Sequence, residues 1–177
     1  ENATVLPFFD SNIYGGETMK CDAKIFAQMY EAVYTDLYRF ALCMMKNRQE
    51  AEDAVSEAVV AAYENIGKLK KEEAFKSWIF TILSNICRKR LRKAAKEQEH
   101  SQGDVYSQIP SQETDLGIAV DVRKAFFLLE EEEQMIVGLS VFGGYNSQEI
   151  GNSLKMNPNT VRSKRSRALQ KMECVLR

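Results

Sequence analysis

Arg162, Ser163, Ser166 and Arg167 share one side of a helix drawn through "NPNTVRSKRSRALQKM", residues 157–172, while Val161, Ala168 and Met172 share the other. A guanidinium fork can take two acceptors of one guanine, and a hydroxyl can donate to or accept from a base edge. Lys164 and Lys171 suit phosphate oxygens, contacts that position a protein on DNA without reading sequence. The stretch contains Arg162, Lys164, Arg165, Arg167 and Lys171 and no acid. A helix that needed only solubility would interleave acids four residues from its bases, so these side chains imply an anion outside the chain. Arg165 falls on the inner side and is predicted to lay its stem along the core.

A second set lies far upstream. Trp78, Thr81, Asn85, Arg88, Arg92 and Lys96 form one helical stripe with Lys89 and Lys93 beside it, and Ile79, Ile82, Leu83 and Ile86 take the core side. An aromatic ring, an amide and a row of cations supply stacking, edge hydrogen bonds and charge, which unpaired bases require. Trp78 also fits a core or boundary position. A third set, Glu50, Asp53 and Glu57, faces away from a seam of alanines and reads by itself as a solvated face.

The totals constrain these sets. The 177 residues carry a net charge of −1, yet residues 88–96 and 155–171 each hold six bases and no acid. Two separated basic patches fit two contacts with one polyanion better than a membrane surface. Catalysis is poorly provided for: His100 is the only histidine, no acids pair at metal spacing, and no glycine-rich phosphate loop occurs. Cys21, Cys43, Cys87 and Cys174 form no C-x-x-C pair, so they read as reduced thiols of a cytoplasmic protein, with no metal and no cofactor. No apolar run approaches the ~20 residues of a membrane span, and the start lacks the pattern of a signal peptide.

The elements that must position these residues are helical. Ile25, Met29, Val33, Leu37, Phe40, Ala41 and Met44 give a first apolar face, broken at Asn47. Ala51, Ala54, Val55, Ala58, Val59, Ala62 and Ile66 give a second, predicted to end at Gly67. A third helix runs from about Glu73 to Lys96. Residues 97–116 lose the periodicity and gain Ser, Gln, Gly and Pro, the composition of a flexible linker. Beyond it come two further helices, the second stopped by Gly143 and Gly144. Asn146 then caps "SQEIGNSL" with Glu149 three residues on, "KMN" turns the chain, Asn157 caps again, and Pro158 stands at the first helical position. A short helix, a tight turn and a longer cationic helix make a helix-turn-helix, whose second helix enters a DNA major groove.

"YNSQEIGNSLKMNPNTVRSKRSRALQKM" resembles the promoter-reading helix-turn-helix of bacterial RNA polymerase sigma factors of the extracytoplasmic-function (ECF) group, through Glu149, Ile150, Thr160, Val161, Arg162, Ser163 and Lys164. The preceding "LLEEEEQMIVGLSVFGGY" resembles the family's preceding helix, with Glu130 where a proline often stands. Upstream, "DLYRFALCMMKNRQEAEDAVSEAV" and "FKSWIFTILSNICRKRLRK" resemble the start and the promoter-melting helix of the same family, with Ser56 and Lys89 as departures from its usual pattern. The resemblance implies an all-α chain of two domains: an extension over 1–23, disordered or foreign to the native protein; a region 2-like bundle over 24–96; the linker; and a region 4-like domain over 117–177. It implies a sigma factor, not an enzyme, that binds core RNA polymerase and promoter DNA, and it leaves room for an anti-sigma factor. Glu50, Asp53 and Glu57 would meet the clamp of polymerase's largest subunit. Lys76, Trp78, Asn85, Arg88 and Arg92 would serve the minus-ten element and its melting; Arg162, Ser163, Ser166 and Arg167 would read bases of the minus-thirty-five element, with Lys164 and Lys171 on phosphates. The competing reading is a stand-alone repressor or activator with a helical sensor or dimerisation domain, which leaves the Trp78–Asn85 patch unexplained.

Overall fold

The computed structural model describes residues 22–100 and 120–177, with the side chains of 98–100 and 120 excepted. The expected N-terminal extension, apart from its last two residues, and most of the expected linker lie outside them. Among the described residues there are seven α-helices and no strand. No helix among them is long and apolar enough to cross a membrane.

Helix α1, Ala23–Met45, starts where Asp22 accepts a hydrogen bond from the Ile25 amide at 2.9 Å. It buries Phe26, Met29, Val33, Leu37, Phe40, Ala41 and Met44, close to the predicted stripe. Lys46 ends it in the left-handed region at φ 57°, and Asn47 then caps α2, Arg48–Glu64, by accepting from the Glu50 amide at 3.0 Å. Ala51, Ala54, Ala58 and Ala62 are at most 1% exposed, and these short side chains let α2 lie close on α1. Gly67 does not end α2. The helix stops at Glu64, Asn65 turns its amide back to the Ala61 carbonyl, and Gly67 lies within a 3-10 turn over Ile66–Lys68. A second such turn, Glu72–Ala74, leads into α3, Phe75–His100, four residues longer than predicted at its C-terminal end. Phe26 meets Phe75 and Tyr63 edge-on, and Phe40 meets Phe80 likewise, which closes the three-helix core with aromatic pairs.

The C-terminal domain comprises α4 (Val120–Phe127), α5 (Glu131–Val141), α6 (Ser147–Leu154) and α7 (Pro158–Leu176). Gln134, 2% exposed, donates to the carbonyls of Leu129 and Phe126 and so satisfies the end of α4 from within α5. Asn146 and Glu149 exchange bonds at the start of α6 as a capping box, as their spacing predicted. The turn between α6 and α7 depends on Gly151, because a Cβ there would come within 2.7 Å of the Met156 carbonyl oxygen. The Met156 amide meanwhile donates to the Gly151 carbonyl at 2.8 Å. Asn157 caps α7 and Pro158 occupies its first turn, where a missing amide loses nothing.

Candidate nucleic-acid interface

On α7, Val161 and Ala168 are fully buried against α5 and α6, which fixes the rotation of the helix. Arg162, Ser163, Ser166 and Arg167 are then all exposed on its far side. Local bonds organise this face. Arg162 donates from Nη1 to Asn159 Oδ1 at 2.9 Å, leaving the rest of its fork open. Ser163 donates its hydroxyl to the Asn159 carbonyl, so towards a base it is left as an acceptor. Arg167 reaches back through Nε to the Ser163 carbonyl at 3.3 Å, with both Nη groups beyond it. Asn159 was not singled out from sequence. Its exposure at the helix start and its spacing of three from Arg162 were the available signal.

The two lysines are differently placed. Lys164 is paired with Glu132, and Lys171 bonds both oxygens of Glu133 at 2.7 and 2.9 Å. The Glu133 side chain is only 8% exposed. Arg165, as expected, turns inward and reaches Ser140 Oγ at 3.2 Å. These pairs tie α7 to α5, so the two lysines hold the reading helix in place within the domain. Burial alone would push the Glu133 carboxyl up. The Lys171 ammonium and the Glu130 backbone amide more than offset it and hold the carboxyl below its usual range.

Replacing Lys171 with methionine is therefore expected to destabilise the domain by about 1–3 kcal/mol, since it leaves a buried carboxylate short of a partner. A depressed carboxyl stabilises above its unfolded pKa, and the benefit is lost as pH falls through the folded value. Thermal melts of the wild type should hence drop below about pH 4 more steeply than those of Lys171→Met. Equal acid sensitivity of the two chains would show that the pair contributes nothing.

The α3 stripe departs from its predicted arrangement at one end. Trp78 is 8% exposed and its ring lies 6.2 Å from that of Phe75, so it belongs to the core and is not displayed for stacking. Of the two places open to Trp78 from its position at the boundary between the faces, it takes the core one. Lys76 donates to Asp36 at 2.8 Å, and its ammonium lies 6.0 Å from the centroid of the Phe80 ring. Further along, Asn85, Arg88, Lys89, Arg92, Lys93 and Lys96 line one shallow groove. Arg88 is half-buried; desolvation and then neighbouring Arg92 lower its pKa, while Glu131 and Glu132 act the other way. Arg92 is exposed. An amide at the head of a cationic trough can hold a base edge and its flanking phosphates.

On α2, Glu50, Asp53 and Glu57 are exposed as predicted. Glu50 and Glu57 are not free, however: Arg90 of α3 bonds them at 2.8 and 2.9 Å. Arg90 had read as part of the basic run. Nothing in the sequence links it to acids 33 and 40 positions earlier. Asp53 accepts only from Gln49 at 3.0 Å and has no ion pair among the described residues.

Two family models match the chain: Sigma-70 region 2 over residues 29–97 and Sigma-70, region 4, over residues 120–172. The ECF RNA polymerase sigma factor SigM of Mycobacterium tuberculosis is 25% identical, over 92% of this chain and 88% of that protein. The ECF RNA polymerase sigma factor SigW of Bacillus subtilis is 24% identical, over 91% and 94% respectively. Among solved structures, the sigma factor RpoE of Bartonella quintana in complex with the anti-sigma factor NepR is similar with a TM-score of 0.72 and 24% identity, covering 87% of this chain and 98% of that one. CnrH in complex with the cytosolic domain of CnrY has a TM-score of 0.62 and 20% identity, with 88% and 89% covered.

Proposed function

The chain belongs to the sigma-70 family of RNA polymerase sigma factors, in its ECF group, and on that premise we propose how its residues divide the work of promoter recognition. It is a sigma factor: it binds core RNA polymerase and directs promoter-specific initiation. The single observation that carries this is the presence of both sigma regions, in order, on one helical chain. A stand-alone repressor or activator would need only the second of them. The activity is regulatory rather than enzymatic, and it is exercised in the cytoplasm, where polymerase and promoter meet.

In this reading Arg162 and Arg167 take guanines of the minus-thirty-five element, with Ser163 and Ser166 as shorter contacts. Their exposure and the open ends of both guanidinium forks support the assignment. Lys164 and Lys171 act first through α5; a phosphate role for either would require its acid partner to be given up. Asn85, Arg88 and Arg92 carry the minus-ten contact, with Lys76 at the start of the helix. Trp78 supports them from the core. Asp53 leads the contact with the polymerase clamp, flanked by Glu50 and Glu57. The solved structure of RpoE in complex with the anti-sigma factor NepR supports such a factor as a further partner.

The experiment is transcription in vitro by core polymerase with and without this chain, on a library of promoter fragments, followed by mapping of the transcript starts. Shared sequence elements upstream of chain-dependent starts are expected, and Asn85→Ala should reduce open-complex formation more than closed-complex formation. Starts unaffected by the chain would refute the reading.

A further inference from the structure

The docking face on α2 holds a cation that its own charge would argue against. Glu50, Asp53 and Glu57 suit a cationic partner, yet Arg90 of α3 reaches across to the same face. Its Nη1 donates to Glu50 Oε2 at 2.8 Å and its Nη2 to Glu57 Oε2 at 2.9 Å. If attraction were all that mattered, the face would be stronger without it.

A pin between two helices is the plainest use of such a bridge, but solvent weakens it in that role. The Glu50 and Glu57 side chains are 54% and 47% exposed, and ion pairs so wet contribute little to stability. Helices α2 and α3 already meet through one buried core that includes Ala54, Ala58, Leu83 and Ile86. What the bridge does change is the freedom of the two glutamates. They stand two turns apart on α2, about 10 Å along its axis. A glutamate loose in water samples several rotamers and must give up that freedom on docking. One planar fork bonded to both fixes each before any partner arrives. Arg90 Nε is buried without a hydrogen-bond partner, so the guanidinium bonds go to these two carboxylates. Between them, Asp53 accepts from Gln49 on Oδ1. Glu50 Oε1, Asp53 Oδ2 and Glu57 Oε1 are each left without a bonded partner among the described residues.

We infer that Arg90 is a positioning residue for polymerase docking: it holds Glu50 and Glu57 in one arrangement, so that their open oxygens and that of Asp53 form a fixed anionic row for cationic side chains of the partner. The inference rests on the docking reading of α2 and deepens it by naming the residue that shapes the face. The added cation weakens attraction at a distance. The fixed row recovers more than this at contact, because side chains ordered beforehand lower the cost of association. Arg90 acts only through the two carboxylates.

Arg90→Met keeps the apolar stem and removes the fork. Charge alone predicts tighter binding to core polymerase by this variant, since the face becomes more negative. Positioning predicts binding roughly tenfold weaker, because two glutamates must then be ordered on docking. Arg90→Lys keeps the charge as a point cation without the fork, and should recover part of the loss. Titration of fluorescent core polymerase with each full chain, below the melting temperature of every variant, measures these affinities. The same two substitutions are then made beside Glu50→Gln and Glu57→Gln, where they should weaken binding no further: a residue that acts through two carboxylates is silent once they are gone. A general loss of packing would instead lower affinity in both backgrounds. Equal or tighter binding by Arg90→Met, or the same loss with and without the glutamates, would overturn the inference. If circular dichroism shows Arg90→Met unfolded, Arg90→Lys carries the comparison, and wild-type affinity in that variant overturns the inference equally. Asp53→Arg reports separately on the docking reading. Wild-type binding by Asp53→Arg would remove the face itself, whereas its weak binding beside an unimpaired Arg90→Met would remove only the role of Arg90.

Discussion

Asp53→Arg is expected to weaken binding to core polymerase by on the order of a hundredfold, because a like-charge clash at a docked surface costs several kcal/mol. The fold should be untouched. Asp53 is exposed on α2, opposite the alanine seam, and its one bond to Gln49 is dispensable. Glu57→Arg makes the instructive contrast. It would remove a carboxylate that Arg90 uses and place a second cation beside it, so any loss of binding would be mixed with loss of packing between α2 and α3. Titration of fluorescent core enzyme with each variant, beside circular dichroism melts, separates the two. Should Asp53→Arg bind core as the wild type does, the docking surface lies elsewhere on the domain.

The second large effect concerns sequence discrimination by α7. Arg162→Lys and Arg167→Lys retain the charge but lose the planar fork, and a bidentate arginine–guanine pair is worth about 1–3 kcal/mol of discrimination. Each variant should therefore lose preference at one minus-thirty-five position by roughly 5- to 150-fold, with the salt dependence of binding nearly unchanged. Arg167→Ala should lose the preference and also flatten the salt dependence by about one charge. Holoenzyme binding to a promoter pool randomised in that element, at two salt concentrations, resolves both quantities. Lysine variants that keep the wild-type preference would mean that the arginines act only as charges and that bases are read by other groups. Asn159→Ala would then be the next variant to examine, since Asn159 holds Arg162 by one Nη.

Local patterns determined much of this protein. The helical class, the stripes of α1 and α2, the break at Asn47, the caps at Asn146 and Asn157 and the rotation of α7 all follow from local interactions, which periodicity and capping chemistry record directly. The outward placement of Arg162, Ser163, Ser166 and Arg167 was legible for the same reason. Contacts across long sequence separations were not. Arg90 read as one more cation of a basic run until α2 and α3 packed and gave it Glu50 and Glu57. Lys164 and Lys171 read as phosphate contacts until α5 presented Glu132 and Glu133. Trp78 stood at the edge of its stripe, where a few degrees of rotation separate core from surface, and the packing beside Phe75 took it inward. Gly138 and Tyr145 carry no local signal at all. A glycine in a helix and a lone tyrosine acquire meaning only when the Phe40 ring comes to within 3.0 Å of where a Gly138 Cβ would stand and the Tyr145 hydroxyl reaches Ser77 and Thr81, because close approach and hydroxyl pairing are properties of the assembled chain.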